Sequence, residues 1–367
     1  MEKGEGKMFI GMEGAKKDGV RDQRIAKVVE LVSPERLLGE LPLGKERAQV
    51  VVQGREEVRD VLQGKDSRLM VVVGPCSVHD PKAAMEYATK LSALTRSLGD
   101  ELLVVMRVYF EKPRTTTGWK GLINDPHLDE SGDVNAGLHI ARKLLLEVLD
   151  TGLPIGCEFL DPITPQYIAD CVGWGAIGAR TSESQTHRQL ASGLSMPIGF
   201  KNRTDGNIQI AVDAVRAAAA PHAFAGIDDA GQPAILHTTG NPDCHIILRG
   251  GHGVPNYHPP EVEDALVTLG VAGLPERVVI DASHDNSGKD PEKQFFAAGE
   301  LADQIADGNK AIVGVMLESF LVEGRQNLVP GEPLTYGQSI TDACISWEDT
   351  VSALERFAAA VEARRGS

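Results

Sequence analysis

Between Leu69 and Leu317 the chain alternates short, unbroken apolar runs with longer stretches whose apolar positions return every three or four residues. The short runs are too brief for helices, and they lack the alternation of a strand with one wet face. They read as strands covered on both sides and joined by helical crossovers, the pattern of a parallel sheet. Eight strand–helix pairs are predicted, with strands near Leu69–Gly74, Leu102–Val108, Pro154–Glu158, Gly175–Ala179, Pro197–Lys201, His245–Arg249, Val278–Asp281 and Ile312–Leu317. Their helices are placed near Lys82–Leu98, Val134–Thr151, Thr164–Cys171, Gln185–Leu190, Ile208–Ala220, Glu261–Leu269, Pro291–Asp307 and Trp347–Arg364. Eight repeats predict an α/β fold of the (β/α)8 TIM-barrel type. A doubly wound sheet would want a glycine-rich nucleotide loop, and neither G-x-G-x-x-G nor G-x-x-x-x-G-K-[ST] occurs.

Three segments stand outside the repeats. Residues 1–20 are rich in Gly and Lys without a period and read as a flexible tail. Residues 21–66 read as a helical extension, first through Ile25, Val28, Val29, Leu31 and Val32, then, after a break at Ser33-Pro34, through Val50, Val58 and Leu62. Residues 67–367 form the barrel, with an inserted β-hairpin at about 222–238 between the fifth helix and the sixth strand.

The strand ends carry the chemistry. Four apolar runs stop at a cation, namely Arg107, Arg180, Lys201 and Arg249, and the loop after the second strand adds Lys112, Arg114 and Lys120. In a barrel of parallel strands these ends share one mouth. Seven cations there repel unless a multiply charged ligand neutralises them, so phosphate or carboxylate groups are the expected cargo. A lone strand-end cation, by contrast, is commonly solvated or paired with a surface acid. Cys76, His284, Glu318 and Asp342 also follow strands, and together offer one soft, one borderline and two hard donors for a borderline divalent metal. Manganese, iron, cobalt and zinc all suit the set. Three of the four also have another reading: Cys76 as a nucleophile, His284 and Asp342 as helix caps.

Charge and composition narrow the field. A net charge of −15 argues against general nucleic-acid or anionic-membrane binding. No apolar run is long enough to span a bilayer and the first residues lack a signal-peptide core, so a cytoplasmic protein is expected. The five cysteines show no C-x-x-C spacing, which disfavours a disulfide framework or zinc finger.

Several motifs together carry a resemblance: Gly74-Pro75-Cys76-Ser77-Val78-His79-Asp80, Lys112-Pro113-Arg114-Thr115 within Arg107–Asp125, Gly178-Ala179-Arg180-Thr181-Ser182-Glu183-Ser184-Gln185, Gly199-Phe200-Lys201-Asn202, Leu248-Arg249-Gly250-Gly251 and Asp281-Ala282-Ser283-His284. From about Asp22 onward the chain resembles the microbial type I DAHP synthases (3-deoxy-7-phosphoheptulonate synthases). That resemblance implies condensation of phosphoenolpyruvate with erythrose 4-phosphate, releasing phosphate, at the start of the shikimate pathway. It implies a metal held by Cys76, His284, Glu318 and Asp342, and phosphoenolpyruvate held by Arg107, Lys112, Arg180, Lys201 and Arg249. Arg114 and Thr115 match the sugar-phosphate site, Lys120 lies nearby, and Lys112 is a candidate for proton transfer. The extension and the hairpin resemble regulatory elements, with matching effector positions at Asp22, Asp161, Pro165, Gln166, Leu190, Leu194, Ser195 and Phe224. Gly226 leans the expected effector toward tyrosine over phenylalanine; packing at an oligomer contact is the other reading of these positions. A homodimer or homotetramer is expected.

Two positions depart from the family, which usually has Gly after Lys-Asn and a small residue after Ser-His, where this chain has Arg203 and Asp285. Arg203 is expected to add charge beside Lys201, and Asp285 to perturb the metal. The rival readings are a sister synthase using arabinose 5-phosphate, a Schiff-base aldolase using Lys201, and a catalytically silent regulator that binds an aromatic amino acid.

Overall fold

The computed structural model of the chain describes residues 20–114, 118–329 and 331–366. Two helices come first, α1 (Pro34–Glu40) and α2 (Lys45–Leu62). The barrel then opens with β1 (Leu69–Gly74), β2 (Leu102–Arg107), β3 (Ile155–Glu158), β4 (Trp174–Ile177) and β5 (Ile198–Lys201). An antiparallel hairpin of β6 (Ala223–Ile227) and β7 (Pro233–His237) interrupts it, as the sequence predicts. The barrel closes through β8 (His245–Leu248), β9 (Val278–Asp281) and β10 (Ile312–Glu318), in the order β1-β10-β9-β8-β5-β4-β3-β2, with every neighbouring pair parallel. Eight strands and their mouth are therefore where the apolar runs place them.

Alternation along the strands divides the core in two. Met70 and Val72 of β1, Leu103 and Val105 of β2, Ile247 of β8, Val279 of β9 and Met316 of β10 fill the barrel interior with Trp174. Their neighbours, such as Leu69, Val71, Leu102, Val104, Ile246 and Ile280, pack outward against the helices. Val58 and Val61 of α2 join the interior cluster, so this helix plugs the barrel floor. Two residues further along each strand, the period of two aims Arg107, Arg249, Asp281 and Glu318 inward as well. The polar top of the barrel is thus set by the same periodicity that sets its apolar middle.

The first half of the extension departs from its predicted helix. Residues 23–33 are irregular, and Val28 and Val29 are 78% and 63% exposed. A short helix with no neighbour to cover its apolar face does not offset its nucleation cost. Side chains instead hold this backbone extended: Asn135 Oδ1 accepts from Val32 N at 2.8 Å, Asn135 Nδ2 donates to Glu30 O at 3.0 Å, and Tyr167 OH donates to Val32 O at 2.6 Å. A further short parallel pair, β11 (Val322–Arg325) with β12 (Gln338–Ser339), has no apolar run to announce it. Of the expected tail, residues 1–19 lie outside the described residues.

Near the floor, Trp174 Nε1 donates to His245 Nε2 at 3.2 Å, and burial lowers the His245 imidazole from its ordinary 6.5 to about 4. Between those values the unfolded chain binds a proton that the folded chain refuses, so stability rises with pH across that window. Denaturant midpoints are expected to fall as the pH drops from about 6.5 to about 4, and His245→Asn is expected to flatten that part of the profile. An unchanged slope in the variant would refute the assignment.

Candidate active site

The inward residues at the carboxyl ends meet as ion pairs. Arg107, 1% exposed, donates from Nη2 to Glu318 Oε1 at 3.2 Å and from Nη1 to Met316 Sδ at 2.8 Å, with its guanidinium 3.9 Å from the Tyr109 ring centroid. Lys201 Nζ lies 2.9 Å from Asp281 Oδ2, and Arg249 Nη1 donates to Asp285 Oδ2. Lys112 Nζ lies 2.8 Å from Asp342 Oδ2 and 2.9 Å from Cys76 Sγ. The expected repulsion among these cations is therefore not what the mouth contains: each of the four faces an acid from another rim segment. Desolvating such charges is costly, and only close opposite charges offset the cost.

Lys112, Arg114, Arg180, Lys201 and Arg249 all line one cavity of about 680 Å3, together with His284 and Asp342. Arg180 stands on the turn that follows β4, three residues beyond the strand end at Ile177. Arg107, Cys76 and Glu318 are buried and do not line the cavity. Lys120 is exposed and outside the lining; its backbone carbonyl accepts from Lys112 N at 2.9 Å. Thr115 lies outside the described residues.

Three of the four expected ligands form one cluster, with a donor atom each from Cys76, Glu318 and Asp342 within 4.8 Å of one another. His284 stands beside this trio, its Nε2 3.8 Å from Glu318 Oε1 and its Nδ1 2.8 Å from Asp281 Oδ2. A carboxylate on the far nitrogen is the usual device for orienting a ligating imidazole. Glu318 is fixed on all sides: Ser283 Oγ donates to Oε2 at 2.7 Å, while Gln294 donates to its carbonyl at 2.9 Å and accepts from its N–H at 2.8 Å. Burial, aided by Glu318 and opposed by Lys112, pushes the Cys76 thiol up to about 11. Such a thiol is protonated at neutral pH, which weighs against the nucleophile reading. Burial would raise the Asp342 carboxyl, but Lys112 and Lys289 outweigh it and hold the group well below the usual range. A thiol, an imidazole and two carboxylates drawn together beneath one cleft fit a borderline divalent ion.

The family departures have other partners than expected. Arg203 is 41% exposed and turns to Glu183 and Asp205, at 2.9 and 3.0 Å, rather than toward Lys201. Asp285 takes Arg249, while His284 is held by Asp281. Sequence reasoning overlooked Asp281, although it ends β9 within the quoted Asp281-Ala282-Ser283-His284 motif. It also overlooked Lys289, whose Nζ lies 2.9 Å from Asp342 Oδ1, and Glu158 and Arg325 in the cavity wall. Lys289 had no signal, because its pairing spans loops distant in sequence.

The expected effector positions are spread over the extension, two helical segments and the hairpin, and none of them lines the cavity, although Asp161 directly follows Leu160 in its wall. Asp161 Oδ1 accepts from Ile163 N and Thr164 N, capping the turn that leads to Pro165 and Gln166 in α5 (Pro165–Ile168). Leu190, in α6 (Gln185–Gly193), is buried, and Leu194 and Ser195 follow that helix, with Ser195 exposed. Phe224 and Gly226 are in β6, where a Cβ on Gly226 would fall 2.7 Å from Leu236 Cδ1. Asp22 opens the extension at φ 54°. The hairpin is tied to α1 by backbone and to α6 by side chains: Glu35 N donates to Asp229 O of the hairpin turn at 2.7 Å, and Ser192 Oγ lies 2.7 Å from Thr238 Oγ1 at the hairpin base.

Barrels of this architecture carry their chemistry at the carboxyl rim, and here the rim lines its cavity with Lys112, Arg114, Arg180, Lys201 and Arg249. Comparison with known proteins narrows that class. Residues 42–355 match the DAHP synthetase I family, and the chain belongs to it. It is 59% identical over 345 residues to the Phe-sensitive phospho-2-dehydro-3-deoxyheptonate aldolase of Escherichia coli (strain K12), covering 94% of this chain and 98% of the relative. The Tyr-sensitive enzyme of the same strain is 52% identical over 342 residues, covering 93% and 96%. A solved phospho-2-dehydro-3-deoxyheptonate aldolase from Francisella tularensis SCHU S4 superposes with a TM-score of 0.91 at 50% identity, covering 93% of this chain and all of that one.

All five cysteines are free, and Cys76, Cys157, Cys171 and Cys344 are buried. Native protein at neutral pH is expected to react only slowly with a thiol reagent, and all five thiols to titrate after denaturation. Rapid labelling of Cys76 in the folded protein would contradict its environment.

Proposed function

We propose that the chain condenses phosphoenolpyruvate with erythrose 4-phosphate and water to give 3-deoxy-7-phosphoheptulonate and phosphate, the first step of the shikimate pathway. The observation that carries the reading is convergence: five cations of the implied substrate sites line one cavity, beside a thiol–carboxylate cluster of metal-ligand chemistry. In this reading Lys112, Arg180, Lys201 and Arg249 receive the phosphate and carboxylate of phosphoenolpyruvate, with Arg107 bearing on them from beneath. Arg114 and Thr115 take the phosphate of the sugar, with Lys120 at the outer margin. The two substrates are thereby held with enol carbon facing aldehyde, and fixed orientation is a large part of the rate gain.

Cys76, His284, Glu318 and Asp342 would hold a divalent metal, manganese placed first, and when bound such an ion supplies Lewis acidity to a carbonyl oxygen. Asp281 orients the His284 imidazole, and Ser283 and Gln294 fix Glu318. Lys112, at the junction of cleft and cluster, is the residue placed to move a proton at its Nζ.

The extension, the hairpin and the segments around α5 and α6 are proposed to bind an aromatic amino acid through Asp22, Asp161, Pro165, Gln166, Leu190, Leu194, Ser195, Phe224 and Gly226. Gly226 leans this choice to tyrosine, whereas the higher overall identity to a Phe-sensitive relative leans it to phenylalanine. A homodimer or homotetramer acting in the cytoplasm completes the proposal; no helix among the described residues is long and apolar enough to cross a membrane.

Phosphate release is expected with erythrose 4-phosphate and to be far weaker with arabinose 5-phosphate; the reverse preference overturns the assignment. Chelation is expected to abolish turnover and a divalent metal to restore it, which a silent regulator would not show. His284→Ala and Cys76→Ala are expected to lose activity by at least roughly a hundredfold while keeping native circular dichroism. An active, metal-free variant would remove those residues from the site. Titration with each aromatic amino acid in the same assay is expected to show inhibition by one of them, and lost inhibition in a Ser195 variant locates the effector.

A further inference from the structure

At the back of the cleft the loop leaving β8 at Arg249 meets the loop leaving β9 at His284. The two are joined by backbone: Asp285 N donates to Arg249 O at 3.2 Å. Gly250 sits at φ +71°, and a Cβ on it would fall 2.8 Å from the backbone of both Asp285 and Asn286. Asn286 Nδ2 donates to Asp281 O at 2.7 Å, and its Oδ1 accepts from Asn256 N at 2.8 Å. Asp285 therefore stands on a rigid mount, beside Arg249 in the cavity wall.

The side chains carry the consequence. Arg249 is 6% exposed, its Nη1 is given to Asp285 Oδ2, and its Nε is buried without a hydrogen-bond partner among the described residues. The neighbouring acids are engaged differently: Asp281, 0% exposed, is sealed between Lys201 and His284, and Asp342 lies between Lys112 and Lys289. Asp285 is 23% exposed and is the acid set directly on Arg249. An incoming phosphate or carboxylate that needs this guanidinium meets a carboxylate already on it, and like charges at that range repel strongly in a partly desolvated cleft.

We propose that Asp285 is a built-in competitor for the anionic substrate, positioned on Arg249 so that it weakens the cleft's hold on phosphate- and carboxylate-bearing ligands. This rests on the reading above that Arg249 receives phosphoenolpyruvate. Asp285 is thus a positioning residue that sets affinity, and its removal acts on KM for phosphoenolpyruvate in preference to kcat. Substrate binding requires the carboxylate to yield Nη1 to the arriving anion.

The test uses the full chain with metal added, as wild type, Asp285→Asn and Asp285→Ala. Binding of phosphoenolpyruvate and of inorganic phosphate is measured by calorimetry, and KM and kcat by phosphate release. Both variants are expected to bind each anion about tenfold more tightly, a change of ~1.4 kcal/mol, with KM for phosphoenolpyruvate falling in parallel. The near-isosteric Asn keeps the packing, so it decides the matter if the Ala variant fails to fold. Unchanged or weaker anion binding in a folded variant, with the wild type active, overturns the inference and leaves the proposed reaction standing. An inactive wild type overturns the proposed reaction, and the inorganic phosphate titration then judges Asp285 by the same criterion.

Discussion

The mouth of this barrel depends on buried opposite charges meeting at the inward ends of parallel strands. Arg107 with Glu318 and Lys201 with Asp281 are nearly sealed from water, and neither partner is tolerable there alone. The pairs arise from two simple facts. Side chains on a strand alternate in and out, and alternate strands of the closed barrel, β2 and β10 on either side of β1 and β5 and β9 on either side of β8, aim their last inward residues into one layer. Val72 lies level with Met316 and Gly74 level with Glu318, so one step up the ladder turns an apolar layer into a charged one.

That layering explains what was readable in the letters. Strands covered on both faces are continuous apolar runs, which is why β1 and β9 have their predicted bounds and the other barrel strands differ by only a residue or two. The cations were legible because a charge at the end of such a run is conspicuous. Their partners were not, because pairing is tertiary: Asp285 lies 36 positions from Arg249, and Glu318 lies 211 from Arg107. A search for cations alone made the mouth look far more positive than it is. The family resemblance named the thiol and the acids of the cluster, and the geometry adds Asp281 behind His284 and Lys289 behind Asp342.

The extension shows the opposite limit. Its apolar spacing through Ile25, Val28, Val29 and Leu31 fits a helix, yet these side chains stay exposed among the described residues and the backbone runs extended under Asn135 and Tyr167. The second half of the same segment, α2, follows the prediction because the barrel floor covers Val58 and Val61. Amphipathic periodicity is thus informative in proportion to the surface available to receive it. The β11–β12 pair was invisible for a related reason: two to four residues of mixed polarity carry no period at all.

The side-chain amide of Gln294 holds a donor and an acceptor in a fixed array, and it sets one N–H on the carbonyl of Glu318 and its oxygen on the N–H of Glu318, much as a neighbouring strand would. Gln294 belongs to α10 (Pro291–Ala306), in the outer ring. One residue of helix is in this way stitched into the ladder of the inner wall. The height of a carboxylate at the heart of the cleft is therefore set from outside the barrel, and a sliding of that helix along its groove would be felt at the cluster as a displacement of the same sense.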